Sequence, residues 1–273
     1  MKPLLAVDGD SFAHRAYHSM PKSVSRNAVV GFTNMLIGLW EQTDPRAVVV
    51  GWDTLEVPTY RHKAFAAYQS GRVFDKSLLE QLDILPELCR ALDLPVGKAP
   101  GYEADDFLAA AVASEEARGG TTIVASGDRD TFQLVSERTT VWQPVRGVSE
   151  IARIGPDEVR ERYGVEPQQV QDFIALRGDP SDKLPGAKGV GPKTAASLLS
   201  QYPSLEAMLD DGRFSAQADD LRLYKRIASM DAEAPLPELP DGDPNWEGGA
   251  KLVRSWGLNG LADRLEGRAQ STS

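Results

Sequence analysis

Apolar residues cluster in short runs that each close on an acid. Leu4-Leu5-Ala6-Val7 stops at Asp8, and Ala47-Val48-Val49-Val50-Gly51-Trp52 stops at Asp53. Thr121-Thr122-Ile123-Val124-Ala125-Ser126 runs into Gly127-Asp128. Such unbroken runs, without strict alternation, predict strands buried on both faces, as in a parallel sheet. Longer stretches with helical spacing separate them, roughly 26–42, 76–92 and 103–118, so the first half reads as an α/β fold with crossover helices. Beyond about residue 155 the pattern changes to short helices between Gly/Pro turns: 156–163, 167–177, 192–200, 204–210 and 215–229. Residues 231–249, rich in Pro, Gly and acids, read as an extended loop, and Glu266 to Ser273 as a polar, disordered tail.

In an open α/β sheet, ligands bind beyond the carboxyl ends of the strands. Asp8, Asp53 and Asp128 each fall at such an end. Further acids gather in Glu103-Ala104-Asp105-Asp106, Asp128-Arg129-Asp130 and Asp179-Pro180-Ser181-Asp182. Each cluster alone has an ordinary explanation as a helix cap or turn. Converging on one sheet edge, however, carboxylates repel and must protonate or acquire a counter-charge. Hard divalent cations with oxygen ligands, Mg²⁺ or Mn²⁺, supply that charge. Two such ions can activate water and stabilise a leaving oxygen in phosphodiester hydrolysis. Zinc is not supported, because the His14/His18 pair has Arg15 where a zincin motif needs Glu.

The chain carries 40 acids against 30 bases, a net charge of −10, which argues against a nucleic-acid partner until the distribution is considered. Setting aside nine clustered carboxylates leaves 31 acids against 30 bases. The single cysteine, Cys89, excludes an internal disulfide and fits a reducing, cytoplasmic setting. No apolar run approaches the ~18 residues of a membrane span, and the first residues are too short for a signal-peptide core.

The second strong signal is Leu184-Pro185-Gly186-Ala187-Lys188-Gly189-Val190-Gly191-Pro192-Lys193-Thr194. Pro192 separates Gly191 from Lys193, which breaks a Walker A pattern. A helix-hairpin-helix fits better: Gly189 and Gly191 permit a tight turn and Pro192 suits the first helical position. Lys188, Lys193, Thr194 and the backbone N–H groups would then meet DNA phosphates without reading sequence. Lys183 precedes this block. A second basic stretch holds Tyr60-Arg61-His62-Lys63 and Tyr68-Gln69-Ser70-Gly71-Arg72, cations among aromatics as in single-strand channels.

Together these motifs resemble the bacterial 5′ nuclease (flap endonuclease) family, the N-terminal domain of DNA polymerase I and its stand-alone relatives. The landmarks include Val7-Asp8-Gly9, Pro58-Thr59-Tyr60-Arg61, Gly101 to Asp106, Ser126 to Asp130 and Gly178 to Asp182, in the family's order. The resemblance implies a PIN-like α/β domain with a mainly parallel sheet over 1–165, including a helical arch at about 58–78. A helix-three-turn-helix module follows over 166–265, with its hairpin at about 181–202. It implies cleavage of DNA 5′ flaps and 5′ ends by a monomer in replication and repair, with two or more Mg²⁺ or Mn²⁺ ions and K⁺ at the hairpin. By position, Asp8, Asp53, Glu103 and Asp105 match one metal cluster; Asp106, Asp128, Asp130, Asp179 and Asp182 match the rest. Arg61, Tyr68 and Arg72 fall on the arch as catalytic residues, with Lys63 beside them for DNA. The family's arch usually reads Tyr-Lys where this chain has Tyr68-Gln69, and usually has Asn where this chain has Lys183. On a continuous arch helix, Lys63 would lie on another face from Gln69, leaving Arg72 to compensate. The expectation is a working but slower nuclease with a preference for Mn²⁺.

Two rivals remain. Asp8-Gly9-Asp10-Ser11 resembles the first motif of haloacid-dehalogenase-type phosphatases, with Asp8 as nucleophile and Asp10 as acid/base. On the nuclease reading, Asp10 is expected to be dispensable. The other rival is a junction-binding relative without catalysis.

Overall fold

The computed structural model describes residues 1–272. Six strands form one sheet in the order β3-β2-β1-β4-β5-β6: β1 Leu4–Asp8, β2 Ala47–Gly51, β3 Val96–Gly97, β4 Thr122–Ala125, β5 Thr139–Arg146 and β6 Glu150–Ile154. All neighbours are parallel except β5 and β6. The apolar runs are strands because each face of the sheet has its own core. Leu5 and Val7 of β1 pack with Phe12, Phe32 and Trp52 on one side, and Leu4 and Ala6 pack with Leu108, Phe132 and Ile174 on the other. Three strands lie outside the apolar runs: β3 has only two residues, and polar and charged positions hide the alternation of β5 and β6.

The expected helices form with small shifts: α2 Asn27–Thr43, α4 Lys76–Ala91 and α5 Ala104–Ala117 among them. Between β1 and α2, the unanticipated α1 (Gly9–Ser19) starts directly on the strand, with Asp8 as its N-cap accepting from the Ser11 N–H. The helical half contains α6 Pro156–Tyr163, α7 Val170–Arg177, α8 Pro192–Leu199, α9 Leu205–Asp210 and α10 Ala218–Ala228. It shares the core of Leu4 and Ala6.

Three expectations are corrected. The arch is not a continuous helix: α3 (Tyr60–Ala64) ends at an extended Phe65, and turns follow through Gln69 at φ +49° and Gly71 at φ +82°. Left-handed residues stop helix propagation, so the angular comparison of Lys63 with Gln69 does not apply. The segment 246–265, assigned to the helical module, packs on the α/β half instead. There α11 (Trp246–Ser255) places Trp246 against Trp40, and α12 (Asn259–Thr272) adds Leu261 and Leu265 to the core of α2 and α4. The tail is helical as far as Thr272, because Glu266 pairs with Arg254 and Arg268 with Glu41; Ser273 lies outside the described residues. Among the described residues, no helix is long and apolar enough to cross a membrane.

Candidate active site

Chain order reverses between β1 and β4, and at that switch point the carboxyl ends of both strands open on a cavity of about 460 Å³. Nine acids line it: Asp8, Asp10, Asp53, Glu103, Asp105, Asp128, Asp130, Asp179 and Asp182, with Arg61 and Arg72 among them. This is where an open α/β sheet places its ligand.

Each carboxylate is held by the local fold. At the end of β1, Asp8 accepts from Ser126 Oγ at 2.6 Å and from the Ser11 N–H at 2.9 Å. Burial above all pushes its carboxyl up to about 7, with the charges of Asp53 and Asp128 adding to the shift. Asp53 follows β2 and accepts from the Ala104 N–H at 2.8 Å, and burial and then Glu103 raise it to about 6. Burial also lifts Asp105 and Asp130 well above the carboxylate range, Asp105 despite Arg61 beside it. Asp182 is raised to about 6, chiefly by burial. So many elevated values mark a cluster short of positive charge, and its donors are all hard oxygens. The donor set therefore fits divalent oxygen-loving cations, although among the described residues no group of three is drawn together as a ready cage.

The arch residues lie against these acids. Arg61 is buried, bonded to Asp105 (3.1 and 3.2 Å), to Asp106 (2.8 and 3.1 Å) and to the Ile227 carbonyl at 3.0 Å. Tyr68 donates to Glu103 Oε2 at 2.8 Å, and burial pushes its hydroxyl far above the usual range. Gln69 Nε2 and Arg72 both reach Asp182 Oδ1, at 3.2 and 3.3 Å. Arg72 and Gln69 thus share one acceptor. Lys63 is exposed and does not line this cavity.

Asp106, expected among the metal ligands, is not brought to the cavity. It is fully buried and accepts from Arg61, Tyr60 Oη (3.1 Å), the Glu103 N–H (3.0 Å) and the Asp231 N–H (2.9 Å). Its place is taken by Asp10, whose Oδ2 accepts from the Asp53 N–H at 2.7 Å. Asp10 thus lines the same cavity as the strand-end acids. Its signal in the sequence was its place two residues after the strand-end Asp8. Ser126, which joins Asp8 to the Asp128 N–H, gave no such signal.

On the far side, Asp179 and Leu184 exchange backbone hydrogen bonds at 2.9 and 2.8 Å, which ties the Asp179–Asp182 loop to the glycine hairpin. Pro192 opens α8, as expected. Of Gly189 and Gly191, the first, at φ +78°, needs glycine's freedom, whereas Gly191 has φ −97° and an ordinary extended backbone. Lys183, Lys188, Gly189, Gly191, Lys193 and Thr194 are all exposed.

Residues 3–164 match the 5′-3′ exonuclease N-terminal resolvase-like domain, and residues 165–243 match the 5′-3′ exonuclease C-terminal SAM fold. The chain belongs to the 5′-3′ exonuclease family. This exonuclease-family chain is 38% identical over 255 residues to DNA polymerase I of Mycobacterium tuberculosis, covering 87% of the chain and 28% of that protein. It therefore spans under a third of the length of such relatives. Its fold matches T5 5′-exonuclease, solved with divalent metal ions (zinc) bound, at a TM-score of 0.71 and 17% identity, over 96% of this chain and 98% of that one. The catalytic core of Rad2 in complex with DNA substrate matches at 0.60 and 15%, over 97% and 90%. Membership of the exonuclease family removes the phosphatase reading, in which the Glu103 cluster and the hairpin had no role.

Proposed function

We propose that this 5′ nuclease hydrolyses DNA phosphodiesters at 5′ flaps and 5′ ends, using Mg²⁺ or Mn²⁺. The observation that carries the reading is the nine-acid cavity at the sheet's switch point, whose Asp179–Asp182 loop is hydrogen-bonded to the glycine hairpin. The relatives' names support it: T5 5′-exonuclease binds divalent ions, and the Rad2 core binds a DNA substrate. When bound, the cations supply charge to hold the scissile phosphate and to ease attack by water.

Asp8, Asp10, Asp53, Glu103 and Asp105 would hold cations at one end of the cavity, and Asp128, Asp130, Asp179 and Asp182 at the other. Ser126 and the Ala104 N–H fix the orientation of Asp8 and Asp53. Tyr68 and Arg61 do the same for Glu103, and Arg72 and Gln69 are the arch donors poised beside the reacting phosphate. Gln69 brings no charge, so this position limits the rate. The hairpin grips the duplex through Lys188, Lys193, Thr194 and the first N–H groups of α8. Among the described residues, no backbone N–H reaches the Lys188 or Gly189 carbonyls, which leaves oxygens suited to K⁺ there.

Cleavage of a 5′-labelled double-flap DNA in Mg²⁺, Mn²⁺ and EDTA, beside Asp128→Asn/Asp130→Asn, tests the proposal. Metal-dependent incision near the junction, lost in the double variant, is expected. The glutamine at 69 favours one other reading, a junction binder without catalysis. Tight flap binding with no cut in either metal would establish that reading instead.

A further inference from the structure

Tyr60 and Lys63 do not line the carboxylate cavity, although Arg61 between them does. They open instead on a separate hollow of about 490 Å³, walled also by Tyr102, Arg226 and Met230. The two spaces share no lining residue. The aromatic corner of this hollow is fixed. Tyr60 and Tyr102 meet edge to face with centroids 6.5 Å apart, and Tyr102 leans on Phe107 at 6.0 Å. Arg61 covers one face of the Tyr60 ring at 4.8 Å, which leaves the other to the hollow. The Tyr60 hydroxyl is held by Asp106 Oδ1 and the Ser229 carbonyl, each at 3.1 Å. Rings pinned in this way offer a flat apolar surface to a planar ligand at little entropic cost.

Two cations stand beside the corner. Lys63 and Arg226 are both exposed, and among the described residues neither enters an ion pair, whereas the neighbouring Lys225 pairs with Asp172 at 2.6 Å. Each lies in the last turn of its helix, a place that favours a cation. That preference does not explain why the two converge on one pair of rings, with the adaptable thioether of Met230 beside them. Asp231 lines the hollow too. Its Oδ1 accepts from the Glu233 N–H at 2.9 Å, which leaves the other oxygen for a ring N–H donor and disfavours a bare anion. A hollow of this size, aromatic with a few polar groups, has the make-up of a small-molecule site. We infer that it binds a nucleoside 5′-monophosphate, with the base on the Tyr60–Tyr102 corner and the phosphate on Lys63 and Arg226, as a free nucleotide or as the end of an unpaired strand. The inference goes beyond the nuclease reading, since the site lies outside the carboxylate cavity and needs no metal.

The test is fluorescence titration in EDTA, so that no cation draws phosphate to the acids. The probes are 2-aminopurine deoxyribonucleoside 5′-monophosphate and a single-stranded oligonucleotide with 2-aminopurine at its phosphorylated 5′ end. Wild type is compared with Lys63→Gln/Arg226→Gln and with Tyr102→Leu, with melting curves to confirm folding. Both cations are exposed, so the charge variant is expected to fold. Binding should quench the base as it stacks. The charge variant should weaken binding by about tenfold or more, because each lost contact is a hydrogen bond between charged groups. Tyr102→Leu should weaken it and relieve the quenching, and deoxyribose 5-phosphate, which has no base, should compete poorly. A loss seen with the free nucleotide alone would assign the site to free nucleotides, and one seen with the oligonucleotide alone to the strand end; either supports the inference. No quenching of either probe, equal affinity in the folded charge variant, or full competition by deoxyribose 5-phosphate would overturn it. Metal-dependent cleavage of the double flap would then stand unaffected, whereas nucleotide binding here without cleavage would count against the nuclease reading alone.

Discussion

Arg61 and Asp106 meet in a two-pronged pair, NH1 to Oδ2 at 3.1 Å and NH2 to Oδ1 at 2.8 Å, with their side chains 2% and 0% exposed. The pair fastens the arch to α5 and, through the Ile227 carbonyl, to α10. Removing one partner of a buried pair leaves the other charge without compensation, at a cost of about 3–5 kcal/mol. Arg61→Ala should therefore lower the free energy of unfolding by about that amount in urea titrations. A loss within the range of an exposed pair, under about 1 kcal/mol, would contradict this account.

The crowded acids also set a pH dependence. Asp8 is raised to about 7, and Asp53 and Asp182 to about 6, each chiefly by burial, against an unfolded value of about 3.9. The folded state then holds protons that the unfolded state has already released. This contribution to stability is complete below the unfolded value and is lost as pH rises through 6 to 7. In EDTA, the melting temperature should fall between pH 5 and 7.5, and added Mn²⁺ should raise it most at the upper end. A melting temperature that climbs across this window without metal would refute the assignment.

Gln69 stands beside Asp182 where a lysine would add positive charge. An added donor to the developing charge is worth up to about a hundredfold or more in rate. Gln69→Lys should raise single-turnover cleavage by about tenfold or more, and Arg72→Ala should cost more in the native background than in Gln69→Lys. Equal turnover of the native protein and Gln69→Lys would show that this position does not limit the rate.

Gly186 is indispensable for a steric reason. It sits at φ +75°, and a Cβ there would come 2.4 Å from the backbone nitrogen of Gly178. Gly186→Ala combines a left-handed alanine with overlap against backbone, together about 3 kcal/mol or more. Thermal melts should show that loss. Because Gly178 leads directly into Asp179, cleavage should fall with it.

Lys183 adopts φ +61°, a conformation that asparagine tolerates better than lysine. Lys183→Asn should therefore stabilise the protein, by under about 1 kcal/mol, as read from the unfolding midpoint. A lower midpoint would mean that the lysine side chain is itself stabilising.

The sequence alone determined three of the parallel strands (β1, β2 and β4), the principal helices and eight of the nine acids in the cavity. Their signals are local: an apolar run must be buried on both faces, and an acid at its end must emerge at the sheet's edge. The hairpin was legible for the same reason, since Pro192 suits the first position of a helix. What the local pattern could not carry was the partner of each side chain. Asp105 and Asp106 are neighbours in sequence, yet one lines the cavity and the other faces Arg61, Tyr60 and the Asp231 N–H from distant segments. Asp10 entered the site because β1 and β2 pair in register and bring the Asp53 N–H within 2.7 Å of it. The arch broke at Phe65, and 246–272 crossed to the α/β half, because long-range packing outweighed helical propensity and position in the chain. Chemistry-bearing residue types were written along the chain, and only the tertiary structure decided which of them share a cavity.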